Sequence, residues 1–226
     1  MVLRVLDALD TAQEIGPLIL CGPPKSVVDQ EAELRARVES GKVKWVENQS
    51  TPSSSAYHVL QSLPESTLVL LTTADHALLN PQIVDHFCSS ARTSGCDIVA
   101  GLASSELVGA AYPDMRRTVT RLRDGGYCSC NLFAFLTPRA HAAADFWRRV
   151  ENQRKKPLRV ISVIGWMAVF RYLLGRLTLT EGLNRLSQRL GFRVGTVLMP
   201  FPEAAVDVDT VDDWMFAQTA VRDQAP

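Results

Sequence analysis

Apolar residues at Val2, Leu3, Val5, Leu6 and Leu9 recur at helical spacing, which predicts an amphipathic helix over Met1–Asp10. The run Pro17–Cys21 is short, apolar and halted by Gly22-Pro23-Pro24, the pattern of a buried strand followed by a turn. Ser26–Arg37 reads as a charged helix and Val43–Val46 as a second short strand. Pro52-Ser53-Ser54-Ser55 offers a helix N-cap ahead of Ala56–Leu63. Thr67–Thr73 is apolar on both faces, as expected of a central parallel strand. Asn80–Ser90 is helical with Pro81 in its first turn, and Asp97–Ala100 is another strand. Helix and strand alternate over the first hundred residues, so the chain predicts a parallel sheet covered by helices on both faces.

The pattern changes past residue 110. Arg117–Arg123 alternates toward the turn signal Asp124-Gly125-Gly126, and Asn131–Leu136 forms a further strand, together a hairpin-like antiparallel insertion. Pro138–Val150 and Leu177–Leu190 read as helices on either side of the apolar region Val160–Leu174. Val160–Phe170 is too short to span a bilayer and reads as a buried helix or, as the lesser alternative, a surface that touches a membrane. Val194–Met199 is a late strand, and Thr210 caps a closing helix to Val221 with Asp212 and Asp213 in its first turn.

Composition narrows the classes. The 226 residues suffice for a single domain, taken here as residues 1–226, with a core that needs no disulfide or metal staple. Lys plus Arg number 24 and so do Asp plus Glu, so the zero net charge argues against a general nucleic-acid binder. No apolar run reaches about 18 residues, so no transmembrane segment is predicted. Five cysteines with no signal peptide ahead of them read as reduced thiols of a cytoplasmic protein. Cys128 and Cys130 have no matching second pair for zinc.

Candidate chemistry gathers at three places. Asp75 follows the strongest strand, where open α/β sheets bind their ligands, and can hold a hard cation or cap the next helix. Asp207 and Asp209 share a face if that segment is extended. Paired carboxylates repel unless a cation lies between them, so with Asp75 they suggest a divalent site. Arg116 and Arg117 lead a basic cluster whose forks match carboxylate or phosphate, though each can equally be a solvated hairpin side chain. Asn131 is polar within an apolar strand and can bind a substrate hydroxyl or fix a loop. Ser53, Ser54 and Ser55 can cap a helix or contact a base.

Several segments in order resemble nucleotidyltransferases related to the molybdenum cofactor guanylyltransferase. They include Leu-Ile-Leu-Cys-Gly-Pro, Leu-Val-Leu-Leu-Thr-Thr-Ala-Asp-His-Ala-Leu-Leu, Cys-Ser-Cys-Asn-Leu-Phe-Ala-Phe and Ala-Val-Asp-Val-Asp-Thr-Val-Asp-Asp-Trp. The resemblance implies a three-layer, Rossmann-like α/β domain of the nucleotide-diphospho-sugar transferase type, mostly parallel with an antiparallel insertion. It implies magnesium-dependent transfer of a nucleoside monophosphate from a nucleoside triphosphate to a phosphorylated acceptor, with release of pyrophosphate. Asp75, with Asp207 or Asp209, would hold the metal, Ser53–Ser55 would lie near the base, and Arg116, Arg117 and Asn131 would face the acceptor. A glycosyltransferase of the same fold, or a non-catalytic relative binding a partner through Val160–Leu174, are the alternatives.

The resemblance carries one departure. Such enzymes open with a strand running into a glycine-rich, basic phosphate loop, whereas this sequence opens on what resembles the following helix. The expectation is either an N-terminally incomplete domain or a naturally short relative with weakened or lost catalysis, and in both cases an exposed strand or apolar face, met by poor solubility, by compensating pairing with another chain such as a homo-oligomer, or by a rearranged start.

Overall fold

The structure, a computed structural model, describes residues 1–113, 115, 117–140 and 165–223. Helix α1 (Val2–Thr11) turns its Val5, Leu6 and Ala8 face inward, as the apolar spacing predicts. It leads to strand β1 (Leu18–Gly22), which pairs in parallel with β2 (Val43–Glu47). Between them the single charged helix expected from the sequence is two short ones, α2 (Lys25–Val28) and α3 (Ala32–Glu39). Helix α4 (Pro52–Gln61) follows, then β3 (Val69–Thr72) and α5 (Pro81–Thr93).

Strand β4 (Ile98–Ser104) runs into a short helix, α6 (Ser105–Ala111), which the sequence pattern did not reveal. The antiparallel insertion is a tight hairpin of β5 (Thr120–Leu122) and β6 (Gly125–Phe135), with Leu122 opposite Gly125. Strand β6 begins at Gly125, six residues ahead of the Asn131 start expected from the sequence, and takes in Cys-Ser-Cys. Helices α7 (Trp166–Leu173) and α8 (Leu179–Leu190) precede β7 (Val194–Leu198). Gly191 ends α8 with φ 75°, a left-handed conformation that glycine adopts without the Cβ clash. A 3-10 turn (Pro202–Ala205) and helix α9 (Val211–Asp223) complete the described fold.

The strands form two separate sheets. One holds β1 and β2, and the other has the order β3-β6-β4-β7 with β5 beside β6. Strands β3, β4 and β5 each pair antiparallel with β6, and β7 pairs parallel with β4. Only β6 therefore runs against the common direction, and the sheet is mostly parallel in strand sense. Strand β3 departs from the expected central position: its one paired neighbour is antiparallel β6, and its other edge is free among the described residues. Its side chains are only half-buried for that reason.

Helices cover opposite faces of the larger sheet. Leu70, Leu132, Ala134 and Val99 pack with α1 and α5, centred on the fully buried Ile83, Val84 and Phe87. Val69, Leu71, Phe133 and Phe135 pack instead with Tyr57 and Leu60 of α4. This alternation is the period of two along each strand.

Two expectations from the apolar region need adjustment. Helix α7 buries Ala168 and Val169 but exposes Trp166 (81 %), Met167, Phe170 and Leu173, so it is not a buried helix among the described residues. Residues 160–164 and most of the helix expected over Pro138–Val150 lie outside the described residues. Among the described residues, no helix is long and apolar enough to cross a membrane.

The α1/α5 core sets a stability prediction. Phe87 is fully buried at its centre, so Phe87→Ala should cost about 3–5 kcal/mol from lost transfer energy and a residual cavity. Urea unfolding should show a lower midpoint at nearly constant slope.

Candidate active site at the carboxyl ends of the strands

The loop after β3 is held from three directions. Arg4 of α1 donates through Nε to the Ala77 carbonyl at 3.3 Å. The Val208 amide donates to the Asp75 carbonyl at 3.1 Å, which lays the Val206–Val208 segment alongside the loop. Ala77, Leu78, Val206 and Ala217 then form a small apolar cluster that fixes α9 against it. Backbone pairing therefore brings Asp75, Asp207 and Asp209 to one place from positions far apart in sequence.

The three carboxylates differ in their partners. Asp75 Oδ1 is buried and accepts no hydrogen bond from the described residues. Asp207 is paired with Arg117 through Oδ1, and its Oδ2 accepts from Asn131 Nδ2 at 2.9 Å. The charge of Asp207 pushes Asp209 above the usual carboxylate range, with burial and Asp75 acting in the same direction. Asp213 is a different case: its carboxylate accepts from the Thr210 amide at 2.9 Å and hydroxyl at 2.7 Å, and Thr210 Oγ1 caps the Asp213 amide. That reciprocal cap is the one expected at the start of α9.

Asn131 adopts φ 49°, the only non-glycine left-handed residue among those described. Asparagine tolerates this conformation better than most residues. Its side chain thereby meets Asp207 from the interior of β6. Arg117 is mostly buried, and its Nε finds no partner among the described residues. Arg116 lies outside the described residues. His76 is buried with Nδ1 3.4 Å from Thr72 Oγ1. Burial lowers its pKa to about 4, against the opposite pull of Asp207 and Asp75.

A cleft of about 980 Å³ opens between the two sheets. Ser53, Ser55, Asp75 and Asn131 line it, together with apolar side chains of β1 and β3. Ser54, Arg117, Asp207 and Asp209 do not. The serines are not the cap of α4: Thr51 holds that place, its Oγ1 accepting from the Ser54 amide at 3.2 Å. Ser54 Oγ accepts from Thr51 Oγ1, and Ser55 Oγ bridges the Gln49 amide and Thr51 carbonyl. The sequence therefore located the serines in the right helix turn but two to four residues past the cap. Asn48, Gln49 and Ser50 also line the cleft, and nothing in their composition set them apart from an ordinary turn.

No group of three His, Cys, Asp or Glu among the described residues is arranged to hold a metal ion by itself. Magnesium at a nucleotide site needs less, since one or two carboxylates suffice when phosphates and water complete the shell. The unpartnered Asp75 oxygen and the destabilised Asp209 carboxylate are a donor set of that kind.

Two measurements follow from these electrostatics. Asp207→Asn removes the main repulsion on Asp209 and frees Arg117 to attract it, so the Asp209 pKa should fall in an NMR titration. His76 takes up a proton in the unfolded chain near its ordinary value of 6.5 but in the folded chain only near about 4. Stability should therefore decline as pH falls from about 6.5 toward 4, by up to about 3 kcal/mol, and His76→Gln should flatten that limb of the profile.

Comparison with known proteins agrees with this architecture. No match was found among curated protein sequences. A hypothetical transferase structure from Thermus thermophilus superposes with a TM-score of 0.75 at 28% identity, over 94% of this chain and 85% of that one. The 4-diphosphocytidyl-2C-methyl-D-erythritol synthase of Anaerococcus prevotii shares the fold at a TM-score of 0.57 and 19% identity, over 98% of this chain and 86% of that one. The 2-C-methyl-D-erythritol 4-phosphate cytidylyltransferase of Thermus thermophilus does so at 0.56 and 14%, over 98% and 88%. The family model of the MobA-like NTP transferase domain matches residues 1–191. Most of the chain is covered by that match, and the protein belongs to the MobA-like NTP transferase family of nucleotidyltransferases.

Proposed function

We propose that the protein transfers a nucleoside monophosphate from a nucleoside triphosphate to a phosphorylated small-molecule acceptor, with magnesium as cofactor. An acceptor phosphate oxygen would form a bond to the α-phosphorus. The bond from that phosphorus to the bridging oxygen would break, and pyrophosphate would leave with the electron pair. No covalent enzyme intermediate is required, so none of the five free cysteines is assigned a role in the reaction.

The observation that carries this reading is the buried, unpartnered Asp75 oxygen beside the Asp207–Asp209 pair. Asp75 and Asp209 would supply the metal's carboxylate oxygens, with Asp207 as the third candidate. Magnesium supplies neutralisation of charge on phosphate oxygens. Arg117 keeps Asp207 compensated in the absence of substrate, and its fork suits phosphate equally well. Asn131 orients Asp207 from the acceptor side, and Arg116 belongs to the same basic segment. Ser53–Ser55 would lie toward the base end. The hydroxyl of Ser55 is already committed to the backbone of its own turn, so the neighbouring Asn48–Ser50 backbone is the better base contact. The free state of all five thiols suits a reducing, cytoplasmic setting.

Isothermal titration with each of the four nucleoside triphosphates, with and without magnesium, tests the reading. Binding of at least one should require magnesium, and Asp75→Asn should weaken it at least about tenfold. Magnesium-independent binding, unaltered by Asp75→Asn, contradicts the assignment.

A further inference from the structure

Helix α7 carries apolar side chains on two faces. Ala168 and Val169 are buried. Trp166, Met167, Phe170 and Leu173, with Leu174 at the C-cap, are instead 50–81 % exposed. At about 100° per residue these five fall within a stripe about 120° wide on the outer side of the helix. The outer side of a surface helix is ordinarily polar, and a contiguous apolar stripe there marks a contact with another apolar surface.

The border of the stripe is basic. Arg171 lies on its flank, and Arg176 follows its last residue by two positions. The β5–β6 hairpin brings Arg123 to the same end of α7. There the Arg123 amide donates to the Leu177 carbonyl at 2.9 Å, and Asp124 Oδ1 accepts from the Leu179 amide at 3.1 Å. From Trp166 to Arg193 the chain carries five arginines and a single acid, Glu181. Glu181 is already shared between Arg171 and Arg185. Arg123 and Arg176 are exposed and have no ion pair among the described residues. Because the chain as a whole carries no net charge, this end of the molecule is a local excess of positive charge.

Charge and composition together select the occupant. Outward Trp, Phe and Leu bordered by arginine are the pattern of an interfacial helix, whose apolar face sinks about 5–10 Å into the headgroup and acyl boundary while the bases meet lipid phosphates. Tryptophan, the most exposed of the five, favours that boundary. A second copy of the chain fits the same face less well. A two-fold contact through α7 would set the stripe against itself and gather the arginines of both copies around one seam, with Glu181 already occupied.

We propose that α7 is a membrane-contact helix. Its outer stripe enters the surface of an anionic phospholipid bilayer, and Arg123, Arg171 and Arg176 face the lipid phosphates. With eight residues the helix lies on the bilayer and does not cross it. None of these residues belongs to the candidate active site, so the inference stands apart from the nucleotide reading.

The test is cosedimentation of the full chain with two kinds of vesicle, phosphatidylcholine alone and phosphatidylcholine with about 30 % phosphatidylglycerol. Partition onto the anionic vesicles should be at least about tenfold stronger and should weaken as salt is raised. Phe170→Ser with Leu173→Ser should lower it at least about tenfold and leave the melting transition in place, because both side chains are exposed. Arg123→Glu with Arg176→Glu should abolish the preference for anionic lipid. A further readout needs no apolar side chain removed from the stripe: tryptophan emission should move to shorter wavelength on anionic vesicles, and Trp166→Phe should eliminate that movement. No partition onto anionic vesicles, or partition untouched by the serine pair with no Trp166 response, overturns the proposal. Equal partition onto both vesicle types overturns the anionic assignment. A dimer in sedimentation velocity that the serine pair dissolves, without vesicle binding, overturns the proposal in favour of a second copy.

Discussion

Strand β6 is the element on which the rest of the larger sheet depends. Among the described residues it alone hydrogen-bonds to three strands, with β3 and β4 on its two edges and β5 as its hairpin partner. Because it lies between β3 and β4, it takes backbone partners on both sides and joins strands that have no direct ladder between each other. It also carries chemistry outward. The left-handed Asn131 interrupts its regular geometry between Cys130 and Leu132, both fully buried, and turns an amide side chain onto Asp207. The core and the candidate site are thus built on one strand, and a disturbance of β6 reaches both.

Electrostatics at the site follow from packing rather than from local sequence. Three carboxylates approach because the Val206–Val208 segment is tied to the loop after β3 and α9 is sealed on top of it. Among the described residues only Asp207 is ion-paired with a cation of the chain, Arg117. Asp75 keeps a buried oxygen with no donor, and Asp209 is driven above its ordinary range by its neighbours. An arrangement with more negative charge than the chain neutralises is suited to a divalent cation and the phosphates it accompanies. His76, lodged beneath these groups, stays neutral through burial and contributes no compensating charge.

Much of the fold was legible because period and punctuation agree with the final packing. The α1 stripe, the Gly-Pro-Pro stop after β1, the Thr210 cap of α9 and the hairpin turn at Asp124 are local signals, and the structure bears them out. Strand β3 was misplaced as central because a fully apolar strand and an edge strand facing an apolar cleft carry the same pattern. Thr51 was overlooked as the α4 cap because three serines and a proline beside it satisfy the same rule. The approach of Asp75 to the Asp207–Asp209 pair was inferred from residue type, whereas the locking of Asp207 by Arg117 and Asn131 depends on long-range contacts that no spacing encodes.

The central claim is that a nucleotide with its metal occupies the carboxyl-end mouth between Asp75 and the Asp207–Asp209 segment. The most direct measurement is an NMR map of backbone amide shifts on titrating magnesium and a nucleoside triphosphate into the isotope-labelled protein. The account predicts the largest changes at Thr73–Ala77, Asp207–Thr210 and the Asn48–Ser55 turn, with little change on the exposed face of α7. Changes concentrated on α7, or spread evenly with none at Asp75 and Asp209, would contradict it.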